Sequence, residues 1–215
     1  MSKFIQVAID SPAAAGAGTQ AKLIANHYNL FYLDTGKIYR FIGNLKIQYK
    51  KKFNYPLIKK KVDKLKFKNL QNKSLLSDKV ATEASIIAQD KKIRKIVYNF
   101  QIKCAYKPPK KFKGSILDGR DITSVIMKKA MFKFYITANV QTRALRRYKE
   151  LRSLNKKITY QEVLKSIKIR DKNDYNRKIS PLKKTKDSIL INTSNLTKRS
   201  CFLKIKQIMD KKLKY

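Results

Sequence analysis

The sequence has no tryptophan, one histidine, two cysteines and only 14 acidic residues. Cys104 and Cys201 stand far apart along the chain, so we interpret them as two buried or idle thiols in a reducing compartment. His27 lies in a helical pattern, where we expect it to pack or face solvent. No apolar run approaches the roughly 20 residues that cross a bilayer, and no secretory signal is visible at the start. These absences predict a cytoplasmic protein without a membrane span.

Basic residues dominate what is present. The chain has 52 lysines and arginines and a formal net charge of +38, which is typical of proteins that bind nucleic acid or another polyanion. Forty-two of these residues are lysines, and they are scattered over every segment. Scattered lysine also describes a solvated surface, so we expect nucleic acid to bind only non-specifically through charge. A hydrophobic content of 43% over 215 residues predicts one folded domain.

Short apolar stretches alternate with helical patterns along the chain. Such alternation predicts an α/β fold in which a parallel five-stranded sheet is flanked by helices, with ligands at the carboxyl ends of the strands. The predicted strands are Phe4–Ile9, Leu30–Leu33, Ser115–Leu117, Lys133–Ile136 and Ile189–Ile191. The predicted helices are Thr19–Tyr28, Ile38–Tyr49, Lys79–Gln89, Ile93–Tyr106, Val140–Leu154, Thr159–Ile169 and Thr197–Leu213.

Two segments depart from this alternation of strands and helices. Residues 50–74 are very lysine-rich and contain Pro56, and we interpret them as part of a mobile insertion between core elements. Residues 107–114, KPPKKFKG, are expected to lead back into a core strand. The sequence TYQE at 159–162 is a capping box that predicts the start of a helix.

The stretch between the first strand and the first helix, SPAAAGAGT at residues 11–19, has the composition of a phosphate-binding loop. Its small side chains let backbone N–H groups approach a phosphate, and Gly16 and Gly18 supply conformational freedom. The Thr19 hydroxyl is expected to reach Mg²⁺. Ala17 stands where such loops carry a lysine, and Ser11 where they begin with glycine. The loop alone therefore fits either a kinase that lost its lysine or a turn that only resembles one.

Five motifs in order resemble the bacterial cytidylate kinases, a family of nucleoside monophosphate kinases, from Phe4 to Asn195. They are the loop itself, YLDTGKIYR at 32–40, VATEASIIA at 80–88, LDGRDITSVI at 117–126 and RDKNDYNRKISPL at 170–182, with INTSN at 191–195 closing the last strand. Four of the ten arginines fall within these motifs, Arg94 follows the third, and Arg143, Arg146 and Arg147 form a cluster near the expected lid. Since arginine binds phosphate through a planar fork and lysine does not, their placement favours an anion site.

The resemblance implies a role for each matching residue. ATP would be bound by Ser11, Pro12, Ala13, Ala14, Ala15, Gly16, Ala17, Gly18, Thr19, Arg143 and Arg147, with Arg146 on the same helical face. CMP would be bound by Thr35, Arg40, Ser85, Arg94, Arg120, Asp121, Arg170, Asp174 and Arg177. The catalytic set would be Arg120, Arg170 and Arg177. We add Lys37 because of its position after the neighbouring strand, which should face the loop across the cleft. There it either supplies the missing cation or is an ordinary surface lysine. Thr19 would be the Mg²⁺ ligand, acting together with the phosphates.

The resemblance also implies one domain over 1–215, with a monophosphate-binding lobe inserted at about 40–100 and a short lid at about 143–160. The implied activity is transfer of the γ-phosphoryl group of ATP to CMP or dCMP by a monomer, with Mg²⁺ as cofactor. Two alternatives stay open from the residues: a nucleotide-binding relative that is weak or inactive because of Ala17, and a nucleic-acid-binding protein built on the same fold.

Overall fold

The computed structural model describes residues 4–154 and 157–213. Its sheet has five parallel strands in the order β2-β3-β1-β4-β5. The strands are β1 Ile5–Asp10, β2 Phe31–Asp34, β3 Gly114–Gly119, β4 Phe132–Thr137 and β5 Ile189–Asn192. The predicted fold class is thus confirmed, and each predicted strand is present with each bound shifted by at most two residues.

Eight α-helices lie within the described residues. They are α1 Ala17–Tyr28, α2 Gly36–Tyr49, α3 Tyr55–Asp63, α4 Asp78–Ile87, α5 Lys91–Tyr106, α6 Val140–Ser153, α7 Tyr160–Asn176 and α8 Lys198–Leu213. The capping box predicted for α7 is confirmed, because Glu162 N donates to Thr159 Oγ1 at 3.2 Å and Thr159 N donates to the Glu162 carboxylate at 2.7 Å. No described helix is both long enough and apolar enough to pass through a membrane.

Alternating residues of the buried strands pack on opposite faces of the sheet. On one face Leu117 belongs to a core that includes Ile38 and Ile42 of α2. On the other face Ile116 belongs to a core that includes Ile24 of α1 and Ile205 of α8. Both faces are therefore covered by helices, which leaves the carboxyl ends of the strands as the place for a site.

The structure differs from the prediction in the lysine-rich segment 50–74, where the sequence patterns predict no helix. Helix α3 begins there after Asn54, whose side chain accepts from Leu57 N at 2.9 Å. Ile58 and Val62 are buried in the same core as residues of α5. Few apolar residues anchor this helix to the core, and lysines surround them in the sequence. The helical spacing of the apolar residues is therefore hard to recognise from the sequence.

Helix α7 is longer than predicted. It continues past Ile169 to Asn176, so that Arg170 and Asp174 lie on a regular helix and Arg177 follows its last turn. Residues 155–156 of the predicted lid lie outside the described residues, and the bounds of the lid and of the inserted lobe stay predictions.

Candidate active site

The residues between β1 and α1 form a tight loop of small side chains. Gly16, directly before α1, has a φ of 92°, which glycine adopts without strain. Ala14 also has a positive φ, 60°, at a cost of roughly 1–2 kcal/mol for a residue with a Cβ atom. The loop then runs into the N-terminus of α1, where free backbone N–H groups favour an anion. This local geometry is compatible with a phosphate at the start of α1, and phosphate binding by the loop stays a prediction.

Ala17 and Thr19 have different surroundings in the first turn of α1. Ala17 is buried with Ala21 and Ile24 in the core beneath the helix. Thr19 is exposed. The loop thus has no ammonium group of its own, while the hydroxyl predicted to reach Mg²⁺ is accessible.

Side chains from distant segments hold the outer carbonyl groups of this loop. Arg143 Nη1 donates to the carbonyl oxygen of Ala13 at 3.1 Å, and Thr193 Oγ1 donates to that of Ala15 at 3.0 Å. Arg146 in turn donates to both the hydroxyl and the carbonyl oxygen of Thr193, at 2.9 and 2.6 Å. The loop conformation is therefore fixed by α6 and by the residue after β5.

Two of the arginines predicted to bind ATP are engaged with carboxylates. Arg143 makes two bonds to Asp171, at 2.6 and 3.1 Å. Arg147 pairs with Asp78 at 3.0 Å and with Glu150 at 2.9 Å. Their assignment to ATP stays a prediction, and it would require them to exchange or share these partners. Spacing along α6 places the arginines on one face but cannot show that they have different partners.

Asp118, at the end of β3, is a candidate residue that the sequence analysis missed. Burial, and then the negative charge of Asp34 on the neighbouring strand, raise the pKa of Asp118 well above its ordinary value. A Cβ atom on Gly18 would lie 3.4 Å from Asp118 Oδ2 and 3.3 Å from the Tyr32 hydroxyl. The carboxyl group therefore lies against the first turn of α1. The signal in the sequence was the aspartate that opens DGRD.

The residues present fit a magnesium ion held mainly by nucleotide phosphates. The described parts of the chain contain no group of three or more His, Cys, Asp or Glu side chains suited to a metal. Mg²⁺ usually keeps several waters and takes one or two protein oxygens besides substrate phosphates. The accessible hydroxyl of Thr19 meets that need, as does Asp118 Oδ1, which has no partner among the described residues.

Three of the predicted CMP-binding arginines influence one another. Arg40 Nη1 donates to Leu75 O at 2.8 Å, and Arg120 Nε donates to Asp174 at 2.7 Å. Arg170 Nε is buried without a hydrogen-bond partner in the described chain. Burial, followed by the charges of Arg40 and Arg120, lowers the pKa of Arg170 to about 9. An anion bound among these groups would relieve the repulsion, so the cluster suits a phosphate dianion.

A second group lies beside this cluster and joins Arg94, Asp121, Tyr39 and Arg177. Arg94 and Asp121 form a buried ion pair, and the Arg94 guanidinium lies 5.6 Å from the centre of the Tyr39 ring. The Tyr39 hydroxyl and Arg177 Nη2 are buried without partners in the parts of the chain that the structure describes. Burial raises the pKa of Tyr39 to about 12, so its hydroxyl is neutral and able to donate at neutral pH.

The remaining predicted residues have mixed positions. Thr35 is buried and donates its hydroxyl to Asp118 O at 2.8 Å, which makes it a support of the loop. Ser85 accepts from Asn173 at 3.2 Å, linking α4 to α7. Lys37 is half-buried, and its side chain has no hydrogen-bond or ion-pair partner within the described ranges. Its predicted catalytic role stays a prediction.

This chain is similar to known proteins in sequence and in fold. The family model described as Cytidylate kinase matches residues 7–211. Proteins named cytidylate kinase from Bartonella tribocorum and Bartonella bacilliformis are 41% and 38% identical to this chain. Their alignments cover 94% and 100% of this chain and 92% and 98% of the relatives. A cytidylate kinase from Clostridium botulinum is 35% identical, over 96% of this chain and 95% of its own.

One solved structure, titled as an uncharacterized protein from Eubacterium ventriosum, is similar in fold with a TM-score of 0.56. It shares 17% sequence identity over 97% of this chain and 99% of its own. At that identity the likeness concerns the fold alone.

Proposed function

Because this chain belongs to the cytidylate kinase family, we propose that it transfers the γ-phosphoryl group of ATP to CMP or dCMP. The products are ADP and CDP or dCDP. The observation that carries this proposal is the buried arginine cluster of Arg40, Arg120 and Arg170, which lies beside the Arg94–Asp121 pair. A phosphate site next to a paired carboxylate suits a nucleoside monophosphate that carries an amino group on its base.

The arginines neutralise the acceptor phosphate. Two dianionic phosphates repel each other, and the arginine forks offset this repulsion so that an acceptor oxygen can approach the γ-phosphorus in line. Arg170 supplies the clearest contribution, because its Nε is unused among the described residues and its neighbours repel it. The positive charges of these arginines destabilise the protein when no anion is bound. The same charges would stabilise a bound phosphate.

Asp121 and its neighbours distinguish the base. One oxygen of Asp121 pairs with Arg94, and the other is available to accept from the exocyclic amine of cytosine. Uracil presents an acceptor at that place, so it would face a like charge. The hydroxyl of Tyr39 and Nη2 of Arg177 are donors that can serve the remaining acceptors of the nucleotide.

The donor side works through the backbone. The loop before α1 offers N–H groups to the β- and γ-phosphates. Thr19 and Asp118 would hold Mg²⁺ on the protein side, and the bound ion would supply positive charge that neutralises the phosphates. Monomeric state, cytoplasmic location and the preference between CMP and dCMP stay predictions.

A coupled assay tests this function. The chain should consume ATP when CMP or dCMP is added and respond much less to UMP or AMP. If calorimetry shows that the chain binds CMP but the assay shows no ATP consumption, the chain is a nucleotide-binding relative without kinase activity. A chain that responds equally to all four nucleotides would contradict the assignment of Asp121.

A further inference from the structure

Asp10 is a buried carboxylate to which the sequence motifs assign no role. It is the last residue of β1, directly before the phosphate loop, and its exposed fraction is 0%. Its oxygens accept three hydrogen bonds: from Ile122 N at 2.7 Å, from Thr123 N at 2.9 Å and from Thr123 Oγ1 at 2.5 Å. The donors are more than 100 positions away in the sequence.

Those donors directly follow two acceptor-site residues. Arg120 and Asp121 end the segment after β3, and Ile122 begins a single π-helical turn, Ile122–Ile126. The N–H groups at the start of such a turn have no partner within it. The Asp10 carboxylate caps them, as a side chain does at the start of a helix, but from a neighbouring strand.

A second bond reinforces this junction, because Ser11 N donates to Gly119 O at 3.1 Å. The first residue of the phosphate loop and the residue before Arg120 are thus tied together as well. Through the Asp10 side chain and the Ser11 backbone, the donor loop and the acceptor residues share one rigid connection. Transfer between two bound nucleotides depends on their spacing to within about 1 Å.

We propose that Asp10 is a positioning residue that holds Arg120 and Asp121 at a fixed distance from the phosphate loop and thereby sets the preference for a cytosine nucleotide. This inference rests on the proposed function. Asp10 itself does not touch the substrate in this account. It acts through the turn that it caps.

The first test replaces Asp10 with asparagine, which has nearly the same shape. Its side chain presents an NH₂ group or a neutral oxygen, in place of a carboxylate, to the donors of Ile122 and Thr123. We expect the KM for CMP to rise about tenfold or more and the preference for CMP over UMP to fall similarly, as expected for loss of charge-assisted hydrogen bonds. The KM for ATP should stay within about twofold, because the loop is also held by Arg143 and Thr193. A variant that melts earlier but keeps both constants and the selectivity would overturn the proposal, and so would an equal rise in both KM values.

Thr123 provides a matched pair if the Asp10 variant does not fold. Thr123→Ser keeps the hydroxyl donor and should behave as the parent. Thr123→Val removes it and should raise the KM for CMP about threefold, with the KM for ATP unchanged. Equal constants for the two variants would overturn the proposal.

The pH dependence gives a readout that a purely structural role would not move. Burial raises the pKa of Asp10 to about 6, although its hydrogen bonds from Thr123 and Ile122 act in the opposite direction. The ionisable groups that face it are Asp121 after β3 and Tyr135, its register partner on β4. Below about pH 6 the protonated carboxyl group loses an acceptor position, so the KM for CMP should rise.

The phosphate of CMP titrates in the same range, but its contribution is common to parent and variant. The Asp10→Asn profile should lack the additional rise, and identical profiles would overturn the proposal. Calorimetric CMP binding by both proteins separates this claim from the proposed function. A parent that binds CMP without turnover defeats the function, whereas equal CMP affinities of the two proteins defeat the role of Asp10.

Discussion

The two sides of the proposed site would bind phosphate by different means. On the donor side, the loop from Ser11 to Gly16 consists of small side chains, and Ala17 follows where related loops carry a lysine. On the acceptor side, arginine forks and buried carboxylates lie close together, with the Arg94–Asp121 and Arg120–Asp174 pairs at the centre. The donor side presents backbone N–H groups, and the acceptor side presents side-chain charge.

This difference predicts at which positions the chain should tolerate substitutions. A backbone site depends on loop shape, which Arg143 and Thr193 maintain from outside through the carbonyls of Ala13 and Ala15. A side-chain site depends on the identity of each fork. Substitutions of the acceptor-side arginines and carboxylates should therefore lower activity more than alanine in place of lysine at residue 17 does.

The largest effect is expected for Arg170→Met. It should lower kcat/KM for CMP by about 100-fold or more, since charged hydrogen bonds contribute about 1.5–3 kcal/mol each. The free protein should not lose stability, because Arg170 is repelled by Arg40 and Arg120. Thermal unfolding and initial rates measure the two quantities. The exposed Arg152→Met variant is the matched control, and an unchanged KM for CMP in Arg170→Met would break the comparison.

The next effect concerns the base. Asp121→Ala removes the acceptor predicted to bind the cytosine amine, and it should cost about 1–3 kcal/mol in discrimination between CMP and UMP. The ratio of kcat/KM for the two nucleotides measures it, with Asp63→Ala as a control on an exposed carboxylate. Wild-type discrimination in the Asp121 variant would show that the base is recognised elsewhere.

A smaller effect is expected for Tyr39→Phe, which keeps the ring against Arg94 and removes the unpartnered hydroxyl. One lost neutral hydrogen bond is worth about 1 kcal/mol, so the KM for CMP should rise about fivefold. The melting temperature should not fall, because no protein partner among the described residues is left behind. Tyr98→Phe, at an exposed tyrosine, is the control. An unchanged KM would mean that the hydroxyl has no role.

The smallest effect is expected where charge is exposed. Lys60→Gln combined with Lys64→Gln, both on or next to α3 and exposed, should leave turnover within about twofold, since solvated charges interact weakly over distance. Steady-state rates at two salt concentrations test this. If these changes damage activity more than Arg170→Met does, charge in general and not fork geometry governs the site.

Much of this architecture could be predicted, because strand and motif order are local properties. The strand that ends at Asp10 and the loop of small residues after it follow from apolar runs and glycine placement. The partners of the side chains could not be predicted in this way. Arg143 and Arg147 share a helical face, yet one meets Asp171 and the other Asp78, which only the packing of α6 decides.

Helix α3 shows a different limit. Its buried positions, Ile58 and Val62, follow the helical period, but lysines around them mask the pattern. Asp10 was missed because its bonds reach residues more than 100 positions away. Local patterns describe elements well, whereas a buried polar group acquires its role from contacts that only the folded chain creates.

The most direct test of the account is the rate at which the unchanged chain consumes ATP when CMP is supplied, measured beside Lys37→Ala and Ala17→Lys. We expect the unchanged chain to consume ATP, because the proposed donor loop would bind phosphate through its backbone and Lys37 is predicted to supply the missing cation. Lys37→Ala should then remove most of the rate, and Ala17→Lys in that background should restore it. An unchanged chain that consumes no ATP, and becomes active only with Ala17→Lys, would contradict compensation by Lys37.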